Sequence, residues 1–92
     1  MRLRLTRPAT RQLDRALSYV EQYNPQGARK VQQCLQDVMR MLLQHPFAGR
    51  ATDRPGIRRI VASPYPYVLT YRVSDAEIII RSVRHTSRRS IS

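Results

Sequence analysis

The chain has 92 residues, enough for one domain, which we expect to span residues 1–92, and too few for a second hydrophobic core. Its 41% hydrophobic content is too high for a disordered chain, and no stretch is long and apolar enough to span a membrane. Seventeen lysine and arginine residues against six acidic ones give a net charge of +11, which predicts an anionic partner: nucleic acid, an enzyme that acts on it, or an acidic protein.

A short strand and a helix are predicted at the start of the chain. Residues 2–6, RLRLT, alternate charged and apolar side chains, as a strand with one buried face does. Pro8 suits the first turn of a helix, and apolar residues spaced three and four apart continue the helical pattern over about 8–23. Tyr23 is the last residue of this apolar stripe, and we therefore expect it to lie in the core.

A second helix is predicted to follow almost at once. Asn24 is a favourable N-cap, Pro25 is a favourable first helical residue, and Pro46 ends the apolar stripe that follows. Two helices joined by so short a break form an antiparallel hairpin. Cys34 is the single cysteine, so it has no disulfide partner in the chain, and its place on the stripe predicts a small core residue.

The second half of the chain predicts a sheet. Residues 46–56 hold two of the three glycines and two of the six prolines and are expected to form a loop. Short links join the strand-like runs that follow, so antiparallel pairing is expected, and Pro66 places the start of regular pairing at Tyr67. The runs are 57–62, 67–73 and 77–85, and a short basic tail follows at about 86–92.

The element order is thus β-α-α-β-β-β. We predict an α+β fold in which a helical hairpin packs on one face of a small, mainly antiparallel sheet. Tyr67, Leu69 and Tyr71 alternate along the central strand, so we expect them to face the core instead of forming an exposed platform for stacked bases. Val68 then falls on the opposite face of the sheet.

Several kinds of chemistry have no support in the sequence. His45 and His85 lie far apart and the cysteine is alone, so no metal site is predicted. There is no glycine-rich phosphate loop and no nucleophile elbow, and the six carboxylates are scattered, so no cofactor is expected. The chain opens on MRLRL without an apolar signal segment, which makes the cytoplasm the expected location.

Arginines and one histidine collect in the predicted strands and the tail, and on an antiparallel meander they can converge on one face or end of the sheet. Such a set could hold a phosphate and stabilise the pentacoordinate phosphate of RNA cleavage, with His85 exchanging the proton. The other interpretation is an arginine-coated surface that only keeps the domain soluble. The candidate target-binding residues are Arg58, Arg59, Arg72, Arg81, Arg84, His85, Arg88 and Arg89.

Four short motifs occur in order along this part of the chain. P-x-x-G-R begins at Pro46, G-x-R at Gly56, PY-x-x-x-Y-x-V at Pro66 and V-x-H-x-x-R at Val83. With the element order, they make nearly the whole chain resemble the RelE/ParE superfamily of small toxins from bacterial type II toxin–antitoxin pairs. The resemblance implies the RelE/ParE-like fold.

Within the superfamily the pattern looks most like the ParE branch. RelE-like members usually place an arginine just after the first tyrosine of the third motif, where this chain has Val68. They also tend to carry a catalytic tyrosine or a further acid–base residue near the C-terminus, where this chain ends SRRSIS. ParE-like members are associated with poisoning DNA gyrase. The resemblance therefore implies a toxin that acts by binding gyrase and catalyses no reaction itself.

Two alternatives stay open. A RelE-like endoribonuclease would cut mRNA in the ribosome, and a degenerate, non-toxic domain would only bind its antitoxin. The resemblance implies a cognate antitoxin, ParD-like or similar, that folds on the toxin in a hetero-oligomer. In the ribonuclease alternative the catalytic residues would be Arg58, Arg81, Arg84 and His85.

Overall fold

The computed structural model describes residues 1–86 of the chain. The predicted elements follow in the predicted order, with one short strand added inside the predicted loop. They are β1 (Arg2–Leu5), α1 (Arg7–Tyr23), α2 (Pro25–Gln44), β2 (Arg50–Ala51), β3 (Ile57–Val61), β4 (Tyr67–Val73) and β5 (Glu77–His85). Neither helix in residues 1–86 combines the length and the apolar character that crossing a membrane requires. The predicted tail from residue 87 onward lies outside the described residues.

The five strands form one sheet in the order β1-β5-β4-β3-β2. Strands β2 to β5 pair antiparallel in sequence order, and Tyr67 opens the pairing of β4, as predicted. The exception is β1, which runs parallel to β5 with Leu5 opposite Ile80. The structure therefore confirms the α+β fold with a helical hairpin on a mainly antiparallel sheet.

The helix ends lie where the sequence predicted them to within one residue. Pro8 is in the first turn of α1, where the helix leaves N–H groups unpaired in any case. Asn24 serves both helices: its N–H donates to the Val20 carbonyl at 2.8 Å, and its Oδ1 accepts from the Gly27 N–H at 2.9 Å. One residue therefore ends α1 and begins α2, which keeps the hairpin tight.

The core lies between the helical hairpin and one face of the sheet. Tyr67, Leu69 and Tyr71 of β4 are at most 6% exposed, which confirms the alternation predicted for the central strand. They belong to one apolar cluster with Leu35 and Leu42 of α2. Both described helices pack on this face, and we call the other face the open face.

One core prediction was wrong. Tyr23 is 75% exposed. The chain reverses at Asn24, so the last residue of the α1 stripe lies at the tip of the hairpin, beyond the packed layer. Its ring instead contacts Tyr19 one helical turn earlier, with the ring centroids 5.3 Å apart. Cys34 lies at the margin of the core, where it is half-buried and packs against the apolar cluster.

Replacing Asn24 tests the cap shared by the two helices. We expect Asn24→Ala to lower the free energy of unfolding by about 1 kcal/mol, because the Gly27 N–H loses its acceptor. Asn24→Asp is the matched control, since it keeps an acceptor oxygen, and it should stay within about 0.5 kcal/mol of the parent. Urea denaturation followed by circular dichroism measures both, and equal losses in the two variants would contradict the capping role.

Candidate target-binding site

The register of the central strands decides which side chains share the open face. Residues directly opposite each other in an antiparallel ladder project to the same side of the sheet. Thr70 of β4 therefore shares the open face with Arg59 of β3 and Ser82 of β5. Arg59 in turn lies opposite Arg50 of β2. This row carries two adjacent arginines and two hydroxyl groups.

Val68 is at the centre of the next row on the open face. It lies opposite Val61 of β3 and Arg84 of β5. Although both described helices pack on the other face, Val68 is only 9% exposed. This pairing confirms that Val68 faces away from the core tyrosines. It also places Arg84 beside the apolar side chain of Val68.

A bulge in β5 adds a further arginine. Tyr71 pairs with Ile80 and Thr70 pairs with Ser82, so Arg81 is an extra residue without a partner on β4. A bulge bends its strand and changes the direction of the side chains around it. Arg81 consequently joins Arg84 along the margin of the open face.

These rows enclose a cleft of about 680 Å³, which we call the open-face cleft. The buried side chains of Ile57 and Val68 form its apolar floor, and the hydroxyl groups of Thr70 and Ser82 also line it. Asp53 is the only carboxylate among its described lining residues. Five arginines line it: Arg50, Arg54, Arg59, Arg81 and Arg84. The cleft therefore carries a large surplus of positive charge.

The cleft arginines have no carboxylate partner within residues 1–86. The salt bridges found there join Arg4 to Glu77 and Arg40 to Asp37, and both lie outside the cleft. Among the described residues that line the cleft, Asp53 is the one carboxylate that can offset the repulsion between the guanidinium groups.

The structure brings together part of the predicted target-binding set. Arg72 also lies on the open face, in the row of Ile57 and Ile79, but outside the cleft lining. Arg58 projects from the opposite, helix-facing side of β3. The predicted residues that line the cleft are Arg59, Arg81, Arg84 and His85, whereas Arg88 and Arg89 lie outside the described residues.

Arg58 contacts the loop that precedes β2. Its Nη1 donates to the Gly49 carbonyl at 2.8 Å and to the Phe47 carbonyl at 3.4 Å. Its guanidinium carbon lies 5.0 Å from the centre of the Phe47 ring, within the range of a cation–π contact. Arg58 thus holds the segment that leads into Arg50.

Tyr71 holds the same loop from the core side. Its hydroxyl donates to the Pro46 carbonyl and accepts from the Gly49 N–H, both at 2.9 Å. A Cβ atom at Gly49 would lie 2.6 Å from this hydroxyl oxygen and 2.7 Å from the Arg59 carbonyl oxygen, so only glycine fits. We call these contacts the Tyr71 clamp. They bring β2 against β3 and place Arg50 opposite Arg59.

His85 lies where the cleft meets the helical layer. It pairs with Tyr67 across β4 and β5, and its ring lies edge-on to the tyrosine ring, with centroids 5.3 Å apart. It also borders a groove with Gln12 and Arg15 of α1. In the part of the chain that the structure describes, no group of three or more His, Cys, Asp or Glu side chains could hold a metal ion.

Sequence reasoning missed Arg50 and Arg54 as cleft residues. Both lie in the segment predicted as a loop, and β2 is too short to show an alternating pattern. The P-x-x-G-R motif is the available signal for Arg50, because its glycine is the residue that Tyr71 approaches. No comparable motif marks Arg54.

Comparison with known proteins agrees with this fold and motif order. The family model described as ParE toxin of type II toxin–antitoxin system, parDE, matches residues 3–90. The chain belongs to the ParE toxin family. This confirms the superfamily and the branch predicted from the sequence.

Relatives of this ParE-type toxin are similar over most of its length. "Putative toxin Y4kP" of Sinorhizobium fredii is 33% identical over 79 residues, which cover 85% of this chain and 82% of that protein. "Toxin RelE2" of Caulobacter vibrioides is 31% identical over 70 residues, covering 76% and 77%. A solved chain of the chromosomal ParDE TA system from P. aeruginosa matches with a TM-score of 0.79 and 27% identity, covering 92% of this chain and 95% of that one.

Removing the Tyr71 hydroxyl tests the clamp in this ParE-type toxin. We expect Tyr71→Phe to lower the free energy of unfolding by about 1–3 kcal/mol, because the buried Gly49 N–H loses its partner. Tyr65→Phe is the control, since the Tyr65 hydroxyl makes no hydrogen bond to the described residues. It should change the same free energy by less than about 0.5 kcal/mol. Chemical denaturation compares them, and equal effects would contradict the clamp.

Proposed function

We propose that this toxin stops growth by binding DNA gyrase while the enzyme holds cleaved DNA, and that it catalyses no reaction itself. The observation that carries the proposal is the open-face cleft, where five arginines without a described carboxylate partner surround a floor that contains Val68. Such a cleft attracts a polyanion or an acidic protein surface. A topoisomerase bound to DNA can offer either.

The chemistry of the cleft favours binding over bond breaking. General acid–base catalysis needs a titratable group within hydrogen-bond reach of the proton that moves. Of the described cleft residues, Asp53 is exposed on a loop, and the His85 ring packs edge-on against Tyr67. Val68 adds no charge at the centre of the cleft. These features support a toxin that acts by occupying its target.

The proposed target-binding surface extends beyond the cleft. Arg72 lies on the same open face, and the tail that continues from β5 carries Arg88 and Arg89. Arg72 would add positive charge beside the cleft arginines and His85, and the two tail arginines would add to the charge available to the target. Arg58 contributes indirectly, because its contacts with the loop before β2 support the position of Arg50.

We further propose that a ParD-like antitoxin neutralises the toxin in a cytoplasmic hetero-oligomer. The P. aeruginosa chain that it resembles belongs to a ParDE TA system. The net charge of +11 suits an acidic partner that folds on binding. The side chains of Tyr19 and Tyr23, 50% and 75% exposed, supply aromatic surface on α1 of the kind that interfaces use.

A second candidate function is the ribosome-dependent mRNA cleavage of RelE-like toxins. The 31% identity to "Toxin RelE2" and the presence of His85 beside the cleft arginines favour it. In that case Arg81 and Arg84 would stabilise the cleaved phosphate and His85 would transfer the proton. Arg58, on the other face, would act only through the loop.

Expression without the antitoxin distinguishes the two functions. We expect growth to stop, the purified toxin to inhibit gyrase supercoiling, and bulk mRNA to stay intact. The variant Arg59→Gln/Arg84→Gln should inhibit at least about tenfold less, because it removes two charges from the cleft. The matched control Arg11→Gln/Arg29→Gln removes the same charge from exposed helix positions and should inhibit as the parent does.

Two results would overturn the gyrase proposal. One is supercoiling that stays unaffected at toxin levels that stop growth. The other is rapid mRNA cleavage that His85→Ala abolishes, which would establish the ribonuclease instead. Expression that leaves growth unchanged, with a folded protein, would support the degenerate, non-toxic alternative.

Co-expression tests the antitoxin proposal separately. We expect a small acidic protein encoded next to the toxin gene to restore growth and to co-purify with the toxin at a fixed stoichiometry. Its excess should also relieve supercoiling inhibition in the purified assay. If each adjacent small protein leaves growth arrested and elutes apart from the toxin, the proposed partner is wrong.

A further inference from the structure

We propose that the open-face cleft binds the sugar–phosphate backbone of a single nucleic-acid strand. This inference deepens the proposed function and rests on it, because it names the part of the gyrase–DNA complex that the cleft contacts. That part is an exposed DNA strand and not the protein surface of gyrase.

A pair of like charges marks one side of the cleft. Arg50 and Arg59 lie directly opposite each other across β2 and β3, an arrangement that destabilises a sheet. Neither side chain has a carboxylate partner within the described residues. The Tyr71 clamp nevertheless holds the loop that leads into β2. An anion bound between the two guanidinium groups would replace this repulsion with two attractions, so the pair forms an anion-binding position.

Positive charge also lines the other side of the cleft. Arg84 and the bulge residue Arg81 belong to β5, whereas Arg59 belongs to β3, and β4 lies between them. Two strand spacings separate the two sides by about 10 Å. A chain of phosphates that runs over β4 therefore meets guanidinium groups on both sides.

The centre of the cleft is uncharged. Val68 offers an apolar surface, and the hydroxyl groups of Thr70 and Ser82 hydrogen-bond to each other beside it. A pentose ring, which is largely apolar with a few oxygen atoms, suits such a floor. The cleft thus has a neutral centre between two positively charged sides. This arrangement suits a nucleic-acid backbone, in which a neutral sugar lies between charged phosphates.

Size and charge density favour a single strand over the other anionic ligands. A cleft of about 680 Å³ is within the range of small-ligand pockets, so it accommodates a few nucleotides of one strand. A nucleic-acid strand carries a negative charge at every residue, whereas acidic protein surfaces interleave carboxylates with neutral and basic groups. Five arginines against one aspartate match the denser ligand. Their planar forks also bind phosphate through two hydrogen bonds at once.

Binding of the purified full chain to a short fluorescein-labelled oligothymidine tests the inference. We expect saturable binding that weakens with salt, with a log–log slope of about −0.7 for each phosphate contact. Arg59→Gln should weaken binding roughly tenfold and flatten the slope by about 0.7. Arg84→Gln, on the other side of the cleft, should do the same. Circular dichroism checks that both variants fold.

Arg29→Gln is the matched control. It removes the same charge from an exposed position on α2, and its affinity for the oligothymidine should stay within about twofold of the parent. If Arg29→Gln and Arg59→Gln weaken binding equally, the strand binds through general charge and the cleft proposal is wrong.

Three further ligands identify the anion. An oligouridine distinguishes RNA from DNA: binding of the oligothymidine supports the exposed DNA strand, whereas binding of the oligouridine alone would overturn the DNA assignment. Tighter binding of the same-length duplex would overturn the preference for a single strand. Tighter binding of polyglutamate would overturn the nucleic-acid assignment and point to an acidic protein surface.

Supercoiling assays on the same preparations separate this inference from the proposed function. A toxin that inhibits gyrase but binds no oligonucleotide would overturn the strand-binding inference and leave the gyrase proposal standing. A toxin that binds oligothymidine through the cleft but leaves supercoiling unaffected would overturn the gyrase proposal and leave the strand-binding inference standing.

Discussion

The buried hydroxyl of Tyr71 is the interaction that connects the core of this toxin to its open face. The ring is fully buried under the helical hairpin, while the oxygen bridges the Pro46 carbonyl and the Gly49 N–H in the loop after α2. A buried hydroxyl or N–H that lost its partner would cost folding free energy, so core packing and loop position are coupled. Because the loop continues into β2, the bonds that satisfy this core tyrosine also help to set Arg50 beside Arg59.

The two faces of the central strand β4 have different roles, because one packs in the core and the other belongs to the positively charged open face. Its core-facing side chains are buried against the hairpin, whereas Thr70 and Arg72 belong to the face that the helices leave uncovered. Apolar burial on the first face is the main source of stability in so small a protein. The arginines on the second face repel one another without interrupting that burial. The fold can therefore keep a positively charged cleft in which Asp53 is the only carboxylate among the described lining residues.

Most of the fold was predictable, because hydrophobic period and capping residues act locally. Asn24 needs only its neighbours to end one helix and begin the next, and the alternation around Tyr71 identifies the buried face without knowledge of the partner strands. Only some of the cleft residues were predictable, because the pairing register of the strands decides which side chains line the cleft. Arg58 and Arg59 are adjacent and chemically identical in sequence, yet one holds a loop and the other lines the cleft. Arg50 lies beside Arg59 in the cleft only because the two residues of β2 pair with β3.

The side chains at the floor and border of the cleft favour binding over cleavage as the proposed function. An arginine in place of Val68 would put a charge on the floor of the cleft, where it could reach a phosphate but would displace the apolar surface suited to a sugar. In the alternative function proton transfer would fall to His85, whose ring packs edge-on against Tyr67 at the border of the helical layer. The proposed strand binding needs no proton transfer, since the five cleft arginines and the neutral floor offer the positive charge and the apolar surface that suit a phosphate backbone.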